Sequence, residues 1–369
     1  MANILSIGTA VPAFAHAQSD ILPFMQSIYG LDAAGQRRLR YLYHHGGIEK
    51  RHSVIPDYTR PIHEWKFYPP TENLDPFPSL ELRMQWYHRH AAPLSLSAIR
   101  QCLDQQKMRP SAITHLITVS CTGMSAPGLD LEIAALLDLP RTVFRTSVNF
   151  MGCYAAIHAL RLADAISRSD SSAVILIVCT ELCTLHFQRE PTADNMMSGL
   201  LFADGSAAAL IASEQRSGQG LRIDKFYSEI LPNGSKDMSW ELSSTGFQML
   251  LSGYVPELLK DQFAGLVDKC LAGTGIQKED IASWCLHPGG KKILDDIAAA
   301  YPLPAEALAP SYDILREYGN MSSATILFVL QRIMNRRRTS TESRSQPIFG
   351  AAFGPGLTME TFLLDSGAY

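Results

Sequence analysis

Apolar runs and amphipathic stretches alternate along this chain, and they predict elements in the order expected of a layered α/β protein. Ile4-Leu5-Ser6-Ile7-Gly8 reads as a first strand. Up to residue 110 the pattern is irregular. Leu39–Leu42 suggests a helix, Tyr68–Pro78 a proline-rich loop, and Glu81–His90 a helix that Pro93 should break or kink. Leu94, Ala98 and Cys102 then recur at helical spacing within Leu94–Gln105. Beyond this the pattern sharpens. Ile113–Val119, Thr142–Val148, Ala173–Cys179 and Gly205–Ala212 are strand-like, with helical stretches at Leu129–Leu137 and Gly152–Ser167. The apolar run Ala173–Cys179 suits a central strand covered on both faces.

The same pattern occurs twice. Ala112–Gly123 and Ile281–Gly289 are each a strand ending in a reactive side chain, Cys121 or His287, with a glycine two positions later. Each runs into a helix, Leu129–Leu137 or Lys291–Ala300, that ends near a Leu-Pro pair. A second landmark follows in register: Cys153 lies 32 positions beyond Cys121 (153 − 121), and Asn320 lies 33 beyond His287 (320 − 287). In both places a glycine precedes a polar residue that opens an apolar helix. A duplicated unit would set these loops face to face, with Cys153 and Asn320 at equivalent helix starts.

Composition narrows the function. The chain has 369 residues, of which 46% are hydrophobic, enough for a large core. Its net charge of −4 gives no basic excess for nucleic acid. No continuous apolar stretch is long enough to span a membrane, and the mildly apolar start reads as a strand rather than a signal peptide. The expected compartment is the cytoplasm. Seven cysteines, an odd number in a long chain, argue against a disulfide framework. Cys179 and Cys183 have no Cys/His pair nearby to complete a zinc site, so no metal is expected.

Cys153 is the candidate nucleophile. Gly152 before it permits a tight turn and close approach of a ligand. A helix start and an adjacent imidazolium would both lower a thiol's pKa. The resulting thiolate would attack a thioester and hold its acyl group. His287, in His-Pro-Gly-Gly after an apolar strand, stands where open sheets gather their active sites. Asn320 offers an uncharged N–H donor, and the two together suit an enolate or an oxyanion. Taken singly, they read equally well as a turn histidine and a helix cap.

Several motifs resemble those of type III polyketide synthases, the chalcone-synthase-like branch of the thiolase superfamily. They are Met151-Gly152-Cys153-Tyr154-Ala155, Leu201-Phe202-Ala203-Asp204-Gly205, Leu286-His287-Pro288-Gly289-Gly290, Glu317-Tyr318-Gly319-Asn320-Met321-Ser322-Ser323 and Ala352-Phe353-Gly354-Pro355-Gly356-Leu357-Thr358. The resemblance implies a duplicated thiolase fold, five-layered αβαβα, in a homodimer. Residues 1–215 would form the half carrying the nucleophile and 216–369 the half carrying His287 and Asn320. It implies that Cys153 carries starter and growing chain while His287 and Asn320 drive decarboxylation of malonyl-CoA. Phe202 resembles a gatekeeper at the coenzyme A tunnel. Ser322 lies in the substrate site, and Gly354, Pro355 and Gly356 shape the cyclisation cavity. Acyl-CoA and malonyl-CoA would be the substrates, with no further cofactor. Lys50 and Arg51 are similar in placement to a coenzyme A phosphate contact, or else form a solvated turn.

The departures from plant members are equally specific. Cys121 stands where they have threonine, and Ala126 where they have a methionine reaching into the partner. The second gatekeeper falls on Met249, or on Phe247 if one allows a small insertion. His186 and Trp240 occupy cavity-wall positions that are smaller in chalcone synthase. Bulk there argues for an aliphatic starter and a pyrone or resorcinol rather than a chalcone. The rival readings are a ketoacyl synthase III or another enzyme that condenses once, and a non-catalytic acyl-CoA-binding relative. A Rossmann dehydrogenase is set aside, since no Gly-x-Gly-x-x-Gly follows a strand.

Overall fold

A computed structural model describes residues 1–366 apart from 217–219, 232–233, 235–237, 302, 305 and 339–346. In chain order, β1 (Ala2–Ala10) leads to a short ribbon of β2 (Phe14–Ala17) and β3 (Lys50–Ser53), joined by α1 (Gln18–Tyr29) and α2 (Ala33–His45). Then come α3 (Leu80–Gln105), β4 (His115–Ser120), α4 (Leu129–Leu136), β5 (Phe144–Asn149), α5 (Ala155–Ser169), β6 (Val174–Leu182), α6 (Ala193–Leu201) and β7 (Asp204–Ser213). The second half runs β8 (Leu221–Ile230), the hairpin β9 (Met238–Ser243) and β10 (Gly246–Leu251), α7 (Val255–Leu271), β11 (Ser283–Leu286) and α8 (Lys291–Ala300). It ends with α9 (Ala309–Tyr318), α10 (Thr325–Arg338), β12 (Ile348–Gly354) and β13 (Thr358–Ser366).

One sheet runs in the order β11-β12-β13-β8-β1-β7-β6-β4-β5. It joins two similar sets through a brief antiparallel contact of Asn3 and Ile4 with Arg222 and Leu221. Outward from that seam, β1-β7-β6-β4 and β8-β13-β12-β11 repeat one topology. The first two steps are antiparallel and the third is parallel. Only the first set continues, adding β5 parallel to β4.

Alternation along β6 shows how the layers stack. Ile175, Ile177 and Cys179 join the core around α5 and α10, which also takes Ile348, Phe362 and Leu364 from the second set. Val174, Leu176 and Val178 face the other way, onto Ile99, Cys102 and Leu103 of α3 and Ile133 of α4. In the second half, Trp284, Leu286, Phe349 and Leu363 meet α7 and α8. The layers are therefore α3/α4, sheet, α5/α10, sheet and α7/α8, the five-layered αβαβα thiolase arrangement. α10 is buried nearly all round from Thr325 to Leu330, as a central helix must be.

Two expected boundaries move. α3 continues through Pro93 rather than breaking there. Pro93 and Arg89, whose carbonyl loses its partner at Pro93, are exposed, so water can take up the lost hydrogen bond. α5 starts at Ala155 with Tyr154 as N-cap, so Cys153 precedes the helix rather than lying in its first turn. All seven cysteines are free and buried. Among the described residues, no helix is long and apolar enough to cross a membrane, and no group of His, Cys, Asp or Glu is set to hold a metal ion.

Candidate active site

The loops that follow β4 and β11 and those that precede α5 and α10 converge on one cavity of about 40 Å³. Cys153, His287 and Asn320 line it together, with Ser322, Cys121 and Pro355 around them. Phe202, Trp240 and Met249 line it as well. By the volume that one buried water needs, ~10–15 Å³, the space is small.

Each reactive group is held differently. Gly152 has φ +86°, and a Cβ there would fall 2.3 Å from Pro355 Cδ, so only glycine fits the turn before the thiol. The Gly152 N–H donates to Cys121 Sγ at 3.1 Å, which ties the Cys153 loop to the end of β4. Cys153 Sγ lies 3.6 Å from Ser322 Oγ. Asn320 Oδ1 accepts the Ser322 N–H at 2.8 Å, which fixes the amide and leaves Nδ2 as the available donor. Nδ2 makes a long contact of 3.4 Å to Gly289 O, and the Asn320 side chain also hydrogen-bonds Cys153. Both ring nitrogens of His287 are buried without a hydrogen-bond partner among the described residues.

Burial controls the charges. It pushes the Cys153 thiol up to about 12 and the His287 ring down to about 3. Both groups are therefore neutral at rest. The thiol pKa expected to be lowered by a helix start and an imidazolium is instead raised, because full burial outweighs a helix that begins two residues later. A thiolate here must be made as a pair with the imidazolium. Beneath the cavity, Glu181 at the end of β6 accepts from Cys121 N–H at 2.9 Å, Thr122 Oγ1 at 2.8 Å and Ser323 Oγ. Burial raises its carboxyl to about 7. Sequence reading passed over Glu181. Its only signal was an acid at the end of an otherwise apolar core strand.

The wall residues form an aromatic group. His186 stacks on Phe247 with centroids 4.2 Å apart and meets Trp240 edge-on. Its Nε2 donates to Thr122 O at 2.7 Å, and its Nδ1 accepts from Phe247 N–H at 3.1 Å, so the ring is neutral and structural. It lies behind Trp240, in an adjacent cavity of about 30 Å³, not in the reaction cavity. Trp240 Nε1 donates to Cys121 O at 2.7 Å. Met249, paired with Trp240 across the hairpin, faces the reaction cavity, while Phe247 is fully buried behind it. Of the Gly-Pro-Gly turn only Pro355 lines the cavity. Gly354 packs against Tyr154, and Gly356 with φ +121° serves the turn itself.

Lys50 and Arg51 are not placed as a phosphate contact. Lys50 is exposed on β3 and lines neither the cavity nor its mouth groove, and Arg51 is buried. Arg51 donates to Phe202 O and to Gln18 Oε1. It therefore holds the wall segment that bridges to Asn320. The basic groups beside the mouth are Arg38, His45, Lys291 and Lys292. They line a groove of about 530 Å³ that shares Leu201, Gly289 and Ile293 with the cavity.

Comparison with known proteins agrees with this geometry. Residues 1–215 match the family model for the N-terminal domain of chalcone and stilbene synthases, and residues 223–367 match the model for the C-terminal domain. The chain is 28% identical to the alpha-pyrone synthesis polyketide synthase-like Pks18 of Mycobacterium tuberculosis, over 99% of this chain and 91% of that protein. It is also 28% identical to probable polyketide synthase 1 of Dictyostelium discoideum over 97% of its own length, but spans only 11% of that much longer protein. The crystal structure of PKS-I from the brown alga Ectocarpus siliculosus superposes with a TM-score of 0.94 at 27% identity, covering 99% of this chain and 98% of that one. The C-terminal type III domain of the Dictyostelium hybrid Steely1 gives 0.88 at 27% identity, with 99% of each chain covered. The protein belongs to the chalcone and stilbene synthase family and is an enzyme of the type III polyketide synthase kind.

Proposed function

We propose that Cys153 is the nucleophile of this synthase and that His287 and Asn320 activate malonyl-CoA. The observation that carries the reading is the pair of unpartnered ring nitrogens on buried His287. A buried polar group without a partner costs ~1–3 kcal/mol, and a substrate that fills the cavity removes that cost. In loading, Cys153 Sγ attacks the thioester carbonyl as its proton passes to the His287 ring. The acyl–S bond of the acyl-CoA breaks, and coenzyme A leaves as the thiol, taking that proton. In extension, the malonyl carboxylate leaves as carbon dioxide. Its electron pair becomes an enolate, which the His287 N–H and Asn320 Nδ2–H stabilise. The enolate carbon attacks the Cys153 thioester, and the thiolate departs. These steps call on no metal or prosthetic group.

The mouth supports coenzyme A as the carrier. Arg38, Lys291 and Lys292 stand beside a groove large enough for its nucleotide end. The apolar lining, with Phe202, Met249 and Ile293, supports an aliphatic starter and release as a pyrone or resorcinol. The Mycobacterium relative is named for alpha-pyrone synthesis, which agrees. The free edge of β5, with Phe144 to Ser147 exposed, supports a homodimer formed through that strand, and light scattering should give the mass of two chains. We place the enzyme in the cytoplasm, with its thioester substrates.

The test is mass spectrometry of products from malonyl-CoA and a panel of acyl-CoA starters. Pyrones or resorcinols should form and should vanish in Cys153→Ala. Products of a single condensation, or products indifferent to Cys153, would defeat the reading.

A further inference from the structure

α2 carries Arg37, Arg38, Arg40, His44 and His45 and no acidic residue, on a chain whose net charge is −4. All five side chains are exposed. None forms an ion pair with a described residue, whereas Lys291 and Lys292 beside them pair with Asp295 and Asp296. At ~100° per residue the five fall on two stripes. Arg38 and His45, with Tyr41, face the groove at the cavity mouth. Arg37, Arg40 and His44 lie about a quarter turn further round. That stripe faces neither the groove nor the side buried through Leu39 and Tyr43.

The phosphates of a coenzyme in the groove account for the first stripe only. The negative end of the helix accounts for His44 and His45 in its last turn, but not for Arg37 and Arg40 before it. A basic face that extends outward from the mouth, on a molecule negative overall, attracts an acidic macromolecule to the mouth.

We propose that the Arg37–Arg40–His44 stripe docks an acidic acyl carrier protein, which presents its acyl group on a phosphopantetheine thioester at this mouth. The inference rests on the acyl-transfer reading above. The carrier's pantetheine arm has the same chemistry as that of coenzyme A, so the cavity receives either. The Cys153 Sγ–acyl bond forms, the carrier's thioester bond breaks, and the carrier leaves as the free thiol with the proton from Cys153. The chain then accepts starters from both a soluble and a protein-bound pool.

The test compares single-turnover loading of Cys153 from hexanoyl-CoA and from an acidic acyl carrier protein loaded with hexanoyl-phosphopantetheine, read by intact mass. Both should load the wild type. Arg37→Glu/Arg40→Glu should slow loading from the carrier by at least about ten-fold and leave loading from hexanoyl-CoA within about two-fold, as rim charges act on encounter. Arg37→Gln/Arg40→Gln should fall between, and added salt should slow the carrier reaction more than the hexanoyl-CoA reaction. The hexanoyl-CoA arm reports that the variants are folded. A carrier that fails to load the wild type, or variants that slow both donors alike, would overturn the proposal. So would unchanged carrier loading coupled to lost binding of phosphatidylglycerol vesicles, which would assign the stripe to a lipid surface. If hexanoyl-CoA itself fails to load Cys153, the acyl-transfer reading falls and the docking proposal falls with it.

Discussion

The ends of β4 and β11 occupy equivalent places in the two halves yet are used in opposite ways. At the end of β4, Cys121 is fully engaged. Its Sγ accepts the Gly152 N–H, its own N–H binds Glu181, and its carbonyl accepts from Trp240. At the end of β11, His287 keeps its backbone in the strand register, through its N–H to Ala351 O, but leaves its ring unpartnered. The positions before the central helices differ in the same sense. The first half supplies a thiol and the second an amide whose oxygen is pinned, which leaves its N–H₂ as the donor. One scaffold, used twice, thus brings the proposed nucleophile from one half and donors for negative charge from the other into a single cavity. In the cavity lining, the buried side-chain nitrogens left without a partner among the described residues are those of His287, the ones assigned to substrate.

The largest expected effects separate these two contributions. Cys153→Ala should abolish chain extension while leaving decarboxylation of malonyl-CoA, because the enolate forms on the His287 and Asn320 side. His287→Ala or Asn320→Ala should lower decarboxylation itself by ~10²–10³, the usual loss on removing a donor to an oxyanion. Carbon dioxide release measured beside product formation reads both. If Cys153→Ala stopped decarboxylation as completely as His287→Ala, the division of labour between the halves would be wrong.

The scaffold was legible from sequence because duplication leaves two independent signals. Strand, glycine turn and helix recur in register around Cys121 and His287, and β1-β7-β6-β4 against β8-β13-β12-β11 is the same arrangement in space. The candidate reacting residues stood out because each lies beside or near a glycine of its turn, such as Gly152, which the turn requires. The walls were not. Phe247 and Met249 lie two residues apart on one strand, so they share a face, and only their depth along the hairpin decides which one reaches the cavity. Lys50 and Arg51 look like a surface pair in sequence, but alternation along β3 exposes one and buries the other. The basic groups at the mouth, Arg38 and Lys291, are 253 positions apart (291 − 38) and meet only in the fold.

A second way to break the comparison acts on the turn that presents the thiol. Gly152→Ala places a Cβ against Pro355 Cδ on a backbone with positive φ. Strain and overpacking together should cost ~2–4 kcal/mol, read as a lower urea midpoint at unchanged slope. Activity should fall further, since the thiol is displaced. Pro355→Ala should recover part of the stability, so the double variant should be less damaged than the sum of the two singles. Strict additivity would show that the Gly152–Pro355 contact is not what the loop depends on.

The smallest effect concerns Glu181, which joins the halves by holding Cys121 and Thr122 on one side and Ser323 on the other. Burial raises its carboxyl from 4.5 to about 7, and its charge in turn disfavours a thiolate at Cys153. The stabilising contribution of the neutral acid is therefore complete below pH 4.5 and is lost as pH rises through 7. Glu181→Gln keeps an oxygen for the Cys121 and Thr122 donors, and the Ser323 hydroxyl can rotate to accept from the new amide, while the Ser323 N–H loses its acceptor. The variant should thus fold. Relative to wild type it should gain stability between pH 5 and pH 8, by up to ~1–2 kcal/mol. Its Cys153 should be alkylated by iodoacetamide about three-fold faster at pH 8. In the wild type, the rise of alkylation rate with pH should flatten near pH 7 as Glu181 ionises, and the variant should lack that feature. Superimposable profiles would mean that the carboxyl is a silent brace, and that the thiol on one side of the cavity is set without reference to the joint between the halves.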